Sequence, residues 1–349
     1  MPVDAAPSWA TEAGQPAEFV HYAVGNGLGH VVRSLASARL LARRFPGRHV
    51  LIANTTLRES AAALVATEPQ VTLCWLPADL TPANARRDIP LWLDALRPAA
   101  LVVDTFPRGL VGELAGWFRW DCPTSLKRRW LVSRQLPTAY ASDFDLLRFA
   151  GQCYSRIYVP GETSPLATLP QAIPTAPFLL RNRDELPDVV SAARWLGVDP
   201  REGAVVVAAS GTYSESLAWR EQCARLAERW PADLPPLRVA LPLELAGDWE
   251  VRGCPCRVRH WPLIECLPAV RLLLGGAGYN LSTEARTLGI PALQVPAPRT
   301  YDDQSSRLTL PPLHGSLDQW IERIRTALLP TLPQIPAYVN GAASVGHWQ

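Results

Sequence analysis

Leu274-Gly275-Gly276-Ala277-Gly278-Tyr279-Asn280-Leu281-Ser282-Thr283-Glu284-Ala285 is the stretch from which the rest of the chain is read. The apolar run Arg271–Leu274 ends in glycines, and a helical pattern opens directly behind them. Leu281, Ala285 and Leu288 recur at helical spacing as a buried stripe, with Glu284 at its flank. A strand running through glycines into a helix brings free backbone N–H groups up to a ligand, which suits phosphate. The Glu284 carboxylate can then accept hydrogen bonds from ribose hydroxyls. Past Gly289 the strand Ala292–Val295 leads to Arg299-Thr300-Tyr301-Asp302-Asp303-Gln304. Carboxylates and an amide just beyond a strand end suit the hydroxyls of a sugar.

Towards the N-terminus the same grammar repeats. Ala204–Ala208 is an apolar strand that runs into Ser210-Gly211-Thr212, small hydroxylated residues able to complete a diphosphate pocket. A helix follows with Trp219, Cys223, Leu226 and Trp230 on one face. Arg238–Leu241 and Cys256–His260 are further strand candidates. Before them, Pro160 to Pro187 is proline-rich and aperiodic, which reads as an interdomain linker.

The first half also alternates short apolar runs with amphipathic stretches, the pattern of βαβ units and a parallel sheet. Its strand candidates are Phe19–Val24, His49–Ala53, Val71–Trp75, Ala100–Val103, Trp130–Ser133 and Ile157–Val159. Val31, Leu35, Ala38, Ala42 and Phe45 mark the apolar face of the first helix. The expected division is a flexible 1–17, a domain over 18–160, a linker over 161–187, a second domain over 188–330 and a tail over 331–349. Two such α/β halves place a cleft at the carboxyl ends of their strands.

Gly25-Asn26-Gly27-Leu28-Gly29-His30-Val31-Val32-Arg33 follows the first strand and opens its helix. The order is G-x-G-x-G-H, not the G-x-G-x-x-G of dinucleotide binders, and the next strand ends in Ala53-Asn54 without a ribose-binding acid. A cationic imidazole is poorly placed at the positive end of a helix. His30 therefore reads as neutral and able to act as a general base, in preference to a capping or packing role. Asp104, at the end of a neighbouring strand, either orients His30 or caps the helix expected near Gly109. Arg108 pairs with an anion or with Glu113, and His21 is structural.

The 349 residues exceed one ordinary core, so two domains are expected. With 48% hydrophobic and 19% charged residues the chain is globular, and a net charge of +2 does not point to nucleic acid. The seven cysteines are scattered, with no ligand-spaced partner, and read as reduced core thiols. No metal or other cofactor is expected. The N-terminus lacks the pattern of a signal peptide and no run approaches a membrane span, which points to the cytoplasm. Trp117-Phe118-Arg119-Trp120 with Lys127-Arg128-Arg129-Trp130 has the composition of a weak membrane-surface patch. Such residues also sit half-buried at helix–strand edges.

The Gly-Leu-Gly-His-x-x-Arg turn and the Gly-Ala-Gly-Tyr-Asn-x-x-x-Glu-Ala segment resemble GT-B glycosyltransferases, family 28 in particular, over roughly residues 18 to 330. The resemblance implies an α/β fold of two Rossmann-like domains facing across a cleft. It also implies a nucleotide diphosphate-sugar, of the UDP type, in the second domain, an unidentified acceptor in the first, and no bound metal. Carried over, Glu284 holds the ribose, Gly276, Ala277 and Gly278 approach the diphosphate beside Asn280, and Ser210, Gly211 and Thr212 close that pocket. Asp303 and Gln304 read sugar hydroxyls, and His260-Trp261-Pro262 falls where the backbone meets the base. Gly27 and Gly29 belong to the first-domain loop, whose His30 is base or phosphate partner. The same loop is similar to that of a UDP-sugar hydrolase, in which water replaces the acceptor. A third reading is a silent nucleotide-sugar-binding protein.

Overall fold

The computed structural model describes residues 17–25, 27–77, 79–247, 256–329 and 337–346. Two parallel sheets organise them. The first has the order β3-β2-β1-β4-β5-β6-β7. Its strands are β1 (Phe19–Val24), β2 (His49–Asn54), β3 (Val71–Trp75), β4 (Ala100–Asp104), β5 (Arg128–Val132), β6 (Arg156–Pro160) and β7 (Ala172–Thr175). The second has the order β11-β10-β8-β9, from β8 (Ala204–Ala208), β9 (Leu237–Ala240), β10 (Val270–Gly276) and β11 (Ala292–Val295). β1, β4 and β8 are buried along their whole length, as strands covered on both faces must be.

The covering helices follow from the apolar stripes. In α1 (Leu28–Arg44), Val31, Leu35, Ala38 and Leu41 pack on the face carrying Phe19 and Ala23. Each such buried leucine contributes roughly 1.5–3 kcal/mol. α2 (Arg58–Val65) lies on the same face, and α3 (Pro82–Leu96) covers the other with Ile89, Trp92 and Leu93. α4 (Thr138–Asp143) and α5 (Leu146–Cys153) complete the first lobe. In the second, α6 (Val189–Leu196) and α8 (Tyr279–Leu288) cover one face. α7 (Tyr213–Glu228) and α9 (Leu317–Leu328) cover the other, with Cys223, Leu226, Trp320 and Ile324 buried beneath.

Two expectations need correction. The segment 161–187 is not a bare linker, because Ala172–Thr175 pairs in parallel with β6 as the edge strand. Its prolines are tolerated at an edge, where one side of the strand needs no ladder bonds. Its later part is bolted to both lobes: Arg181 Nη1 donates to Glu68 at 2.7 Å and its Nε to Glu265 at 2.6 Å. The expected strand Cys256–His260 shrinks to one bridge between Val239 and Arg257. In the described part of the tail, Gly341 N donates to Pro177 O at 2.8 Å and Gly346 N to Tyr158 Oη at 3.2 Å. It returns the chain to the first lobe. Cys254 lies outside the described residues, and the other six cysteines are free thiols.

Candidate active site

Both sheets reverse their winding direction at one place, and loops leaving adjacent strands there open a crevice. In the first sheet the reversal falls between β1 and β4, which are hydrogen-bonded neighbours. The Gly25–His30 turn leaves β1, and Asp104 ends β4. In the second sheet it falls between β8 and β10, whose ends carry Ser210–Thr212 and Gly276–Gly278. The two crevices face each other across one cavity of about 940 Å³.

His30 lines that cavity. Its Nδ1 donates to Asp104 Oδ2 at 2.6 Å, which leaves Nε2 as the unprotonated nitrogen. The ring occupies the space where Gly25 lacks a side chain: an added Cβ there would stand 2.1 Å from His30 Cδ2. Asp104 is fully buried behind it and accepts three further bonds, from Nε and Nη2 of Arg33, each 2.6 Å long, and from the Thr105 hydroxyl at 3.1 Å. It caps no helix. Burial alone would raise the Asp104 carboxyl, but Arg33 and His30 hold it far below the usual range. Burial lowers His30, Asp104 pulls it back, and Arg33 and Arg134 lower it again, leaving it below 6.5. The imidazole is neutral at physiological pH.

Across the cavity Glu284 is buried, and among the described residues no hydrogen-bond partner meets its carboxyl. Desolvation pushes it up to about 8. The N-termini of α1 and α8 begin at Gly27 and Gly278, with neither a capping side chain nor an acid in the first turn. Their free N–H groups remain available to an anion. α7 differs, because Thr212 and Glu215 form a capping box and Glu215 also pairs with Arg299 at 2.6 Å. The Thr212 hydroxyl is thereby committed to its own helix, although the residue lines the cavity.

Gly27, Gly29, Ser210, Gly211, Trp261, Gly276, Gly278, Asn280 and Gln304 line the cavity with His30 and Glu284. Four other expected residues do not. Ala277 is buried beneath the glycine turn, where its N–H bonds Val295 O at 3.2 Å. His260 stacks on Trp195 with ring centres 3.7 Å apart and bonds Glu265 at 2.7 Å. Asp303 turns to solvent and caps the short turn at Ser305, while Asp302 takes the cavity side. Asp104 lies behind His30. Arg108 donates to Phe144 O and makes no pair with Glu113, whose buried carboxylate accepts from Tyr22 and two backbone N–H groups. His21 is fully buried, as a structural histidine should be.

Sequence reasoning passed over a charged seam at the floor of the cleft. Arg134 lies 4.5 Å above the Tyr279 ring and bonds Glu162 and Asp302, each at 3.2 Å. Arg307 engages the same two carboxylates. Tyr279 reaches from α8 into the first lobe and donates to Pro160 O at 2.9 Å. Arg33 was discoverable, because it lies three residues beyond His30 and so shares its helical face. Arg134 follows β5 without any pattern around it. Aromatic rings close one side: Phe106 stacks on His30 at 5.8 Å, and Tyr301 lies 4.7 Å from Tyr140.

No protein-family model and no curated protein matches this chain. Solved structures do. The glycotransferase of kitacinnamycin superposes with a TM-score of 0.58 at 14% identity, over 90% of this chain and 91% of that one. A spinosyn rhamnosyltransferase gives 0.56 at 16%, covering 94% and 93%. MurG of Acinetobacter baumannii gives 0.50 at 13%, covering 94% and 98%. The chain has the GT-B fold. In GT-B terms the first lobe carries His30 and Asp104, and the second carries the open α8 N-terminus and Glu284. Among the described residues no helix is long and apolar enough to cross a membrane, and no group of three or more His, Cys, Asp or Glu converges as metal ligands.

Proposed function

We propose that this chain transfers a sugar from a nucleoside diphosphate-sugar, of the UDP type, to an acceptor hydroxyl bound by the first lobe. The observation that carries the reading is the His30–Asp104 pair, 2.6 Å apart, facing a buried and unpartnered Glu284 across the same cavity. Glu284 accepts the ribose hydroxyls, and the N–H groups at Gly276 and Gly278 and the α8 N-terminus bind the diphosphate. His30 Nε2 takes the proton of the acceptor hydroxyl as its oxygen bonds the anomeric carbon and the bond to the diphosphate breaks. The nucleoside diphosphate leaves with its charge held by those amides. Asp104 fixes the tautomer and balances the imidazolium. Asp302 is committed to Arg134 and Arg307, and Asp303 points away, so phosphate neutralisation falls to amides and not to a metal. Transferases are also what the superposing structures are named as, which supports the reaction class.

The test is a panel of nucleotide-sugars assayed for release of nucleoside diphosphate, with and without cell extract as acceptor source, in EDTA and in magnesium. Release that needs extract and ignores EDTA is expected. Release in water alone would make the chain a hydrolase, and binding without release would make it silent.

A further inference from the structure

Behind the cleft the first lobe carries a second cavity of about 570 Å³. The turn after β4 separates the two: Phe106 stacks on His30, while Arg108, two residues on, lines this pocket. Arg108, Arg119, Arg129 and Arg148 face a single carboxylate there, Asp145, which pairs with Arg148 at 2.5 Å. Nε of Arg108 and Nε of Arg129 are buried and meet no hydrogen-bond partner among the described residues. A buried donor left unmet is costly, so both guanidinium groups gain from a further acceptor. Rings supply the rest of the wall. The Arg108 guanidinium lies 5.4 Å from the Phe149 ring centre, and Arg119 lies 4.6 Å from that of Trp120, a side chain 73% exposed. Trp117 and Phe118, from the same run, are buried, so the basic aromatic stretch forms a walled pocket and not a flat patch.

Guanidinium forks bind the oxygens of a phosphate bidentately, and three arginines free of Asp145 match a dianion better than a lone carboxylate. We propose that this pocket binds a phosphate monoester carrying an apolar group. The phosphate sits among Arg108, Arg119 and Arg129, and the apolar part lies against Phe149 and Trp120. The pocket and the cleft can be filled together.

Calorimetry of the full chain with phenyl phosphate, in the presence of UDP, tests this. Saturable binding should persist and weaken at least about tenfold in the Arg108→Gln/Arg129→Gln variant, given the cost of losing bonds to charged groups. Trp120→Ala leaves the core untouched and should weaken binding several-fold, which keeps the test valid if the double variant misfolds. Inorganic phosphate should bind more weakly than phenyl phosphate. Co-sedimentation with phosphatidic acid vesicles, abolished by the same substitutions, would assign a lipid-borne phosphate, whereas binding of the soluble ester alone would assign a soluble one. Competition by UDP, affinity unchanged in both folded variants, or no saturable binding of any probe would overturn the proposal.

Discussion

At the scale of single residues, the site turns on how His30 is held. Losing a general base costs about 10²–10⁴-fold in rate, so His30→Ala should lower turnover by that order. Nucleotide affinity, measured in parallel by calorimetry, should stay close to wild type, because the expected donor contacts lie in the other lobe. Loss of UDP binding would instead make the imidazole a phosphate ligand. The neutral imidazole is the working form and its pKa lies below 6.5, so the acid limb of kcat/KM should fall below that pH. An acid limb at or above 6.5 would contradict the burial that causes the shift. Asp104→Asn cannot be a mild change here. It removes the counter-charge of Arg33, and an unpaired buried cation costs about 3–5 kcal/mol. Its melting temperature should drop along with its turnover.

Among elements, α8 holds the clearest pH dependence. Glu284 titrates near an ordinary 4.5 when unfolded and at about 8 when folded, so the folded chain binds the extra proton between those values. Wild-type stability should therefore fall as pH rises through this window and level off above it, by roughly 1.4 kcal/mol for each unit of separation. Glu284→Gln carries no such penalty. Its advantage in melting temperature should widen from about pH 5 to about pH 8, and parallel curves would refute the burial argument. Glu284→Ala should also weaken UDP binding by about 1–3 kcal/mol.

The same helix shows what was legible in the sequence. The glycine turn, the Leu281–Ala285 stripe and the flanking Glu284 follow from local periodicity, and each strand–glycine–helix unit was readable for the same reason. Asp303 lies outside the cavity lining because adjacent residues in a turn point opposite ways, and only the backbone path decides that Asp302 faces inwards. His260 stays out of the cavity lining because Trp195, far away in sequence, supplies its stacking surface. Strand β7 was missed because an edge strand can accept prolines that a central one cannot. Arg134 and Arg307 acquire their meaning only when the two lobes meet.

Over the whole molecule, the two lobes touch directly across the cleft. Asn280 Nδ2 donates to Gly29 O at 3.1 Å, and an added Cβ on Gly27 would stand 3.1 Å from Gly211 O. A larger side chain at Gly27 has to wedge the backbones apart. Gly27→Leu should enlarge the radius of gyration in small-angle scattering and raise KM several-fold, while circular dichroism stays native. An unchanged radius and KM would mean that the contact is incidental. The α1 cap tolerates the exchange at a cost of about 1 kcal/mol.

Tyr140 and Tyr301 close one side of the cleft from opposite lobes. A molecule that passes between those rings to reach or leave His30 needs them to part. Turnover can then be limited by a motion against solvent friction, not by breaking the anomeric bond. Sucrose or glycerol should slow the full cycle in proportion to viscosity. A donor with a better leaving group should leave kcat unchanged, and Tyr301→Ala should erase the viscosity dependence.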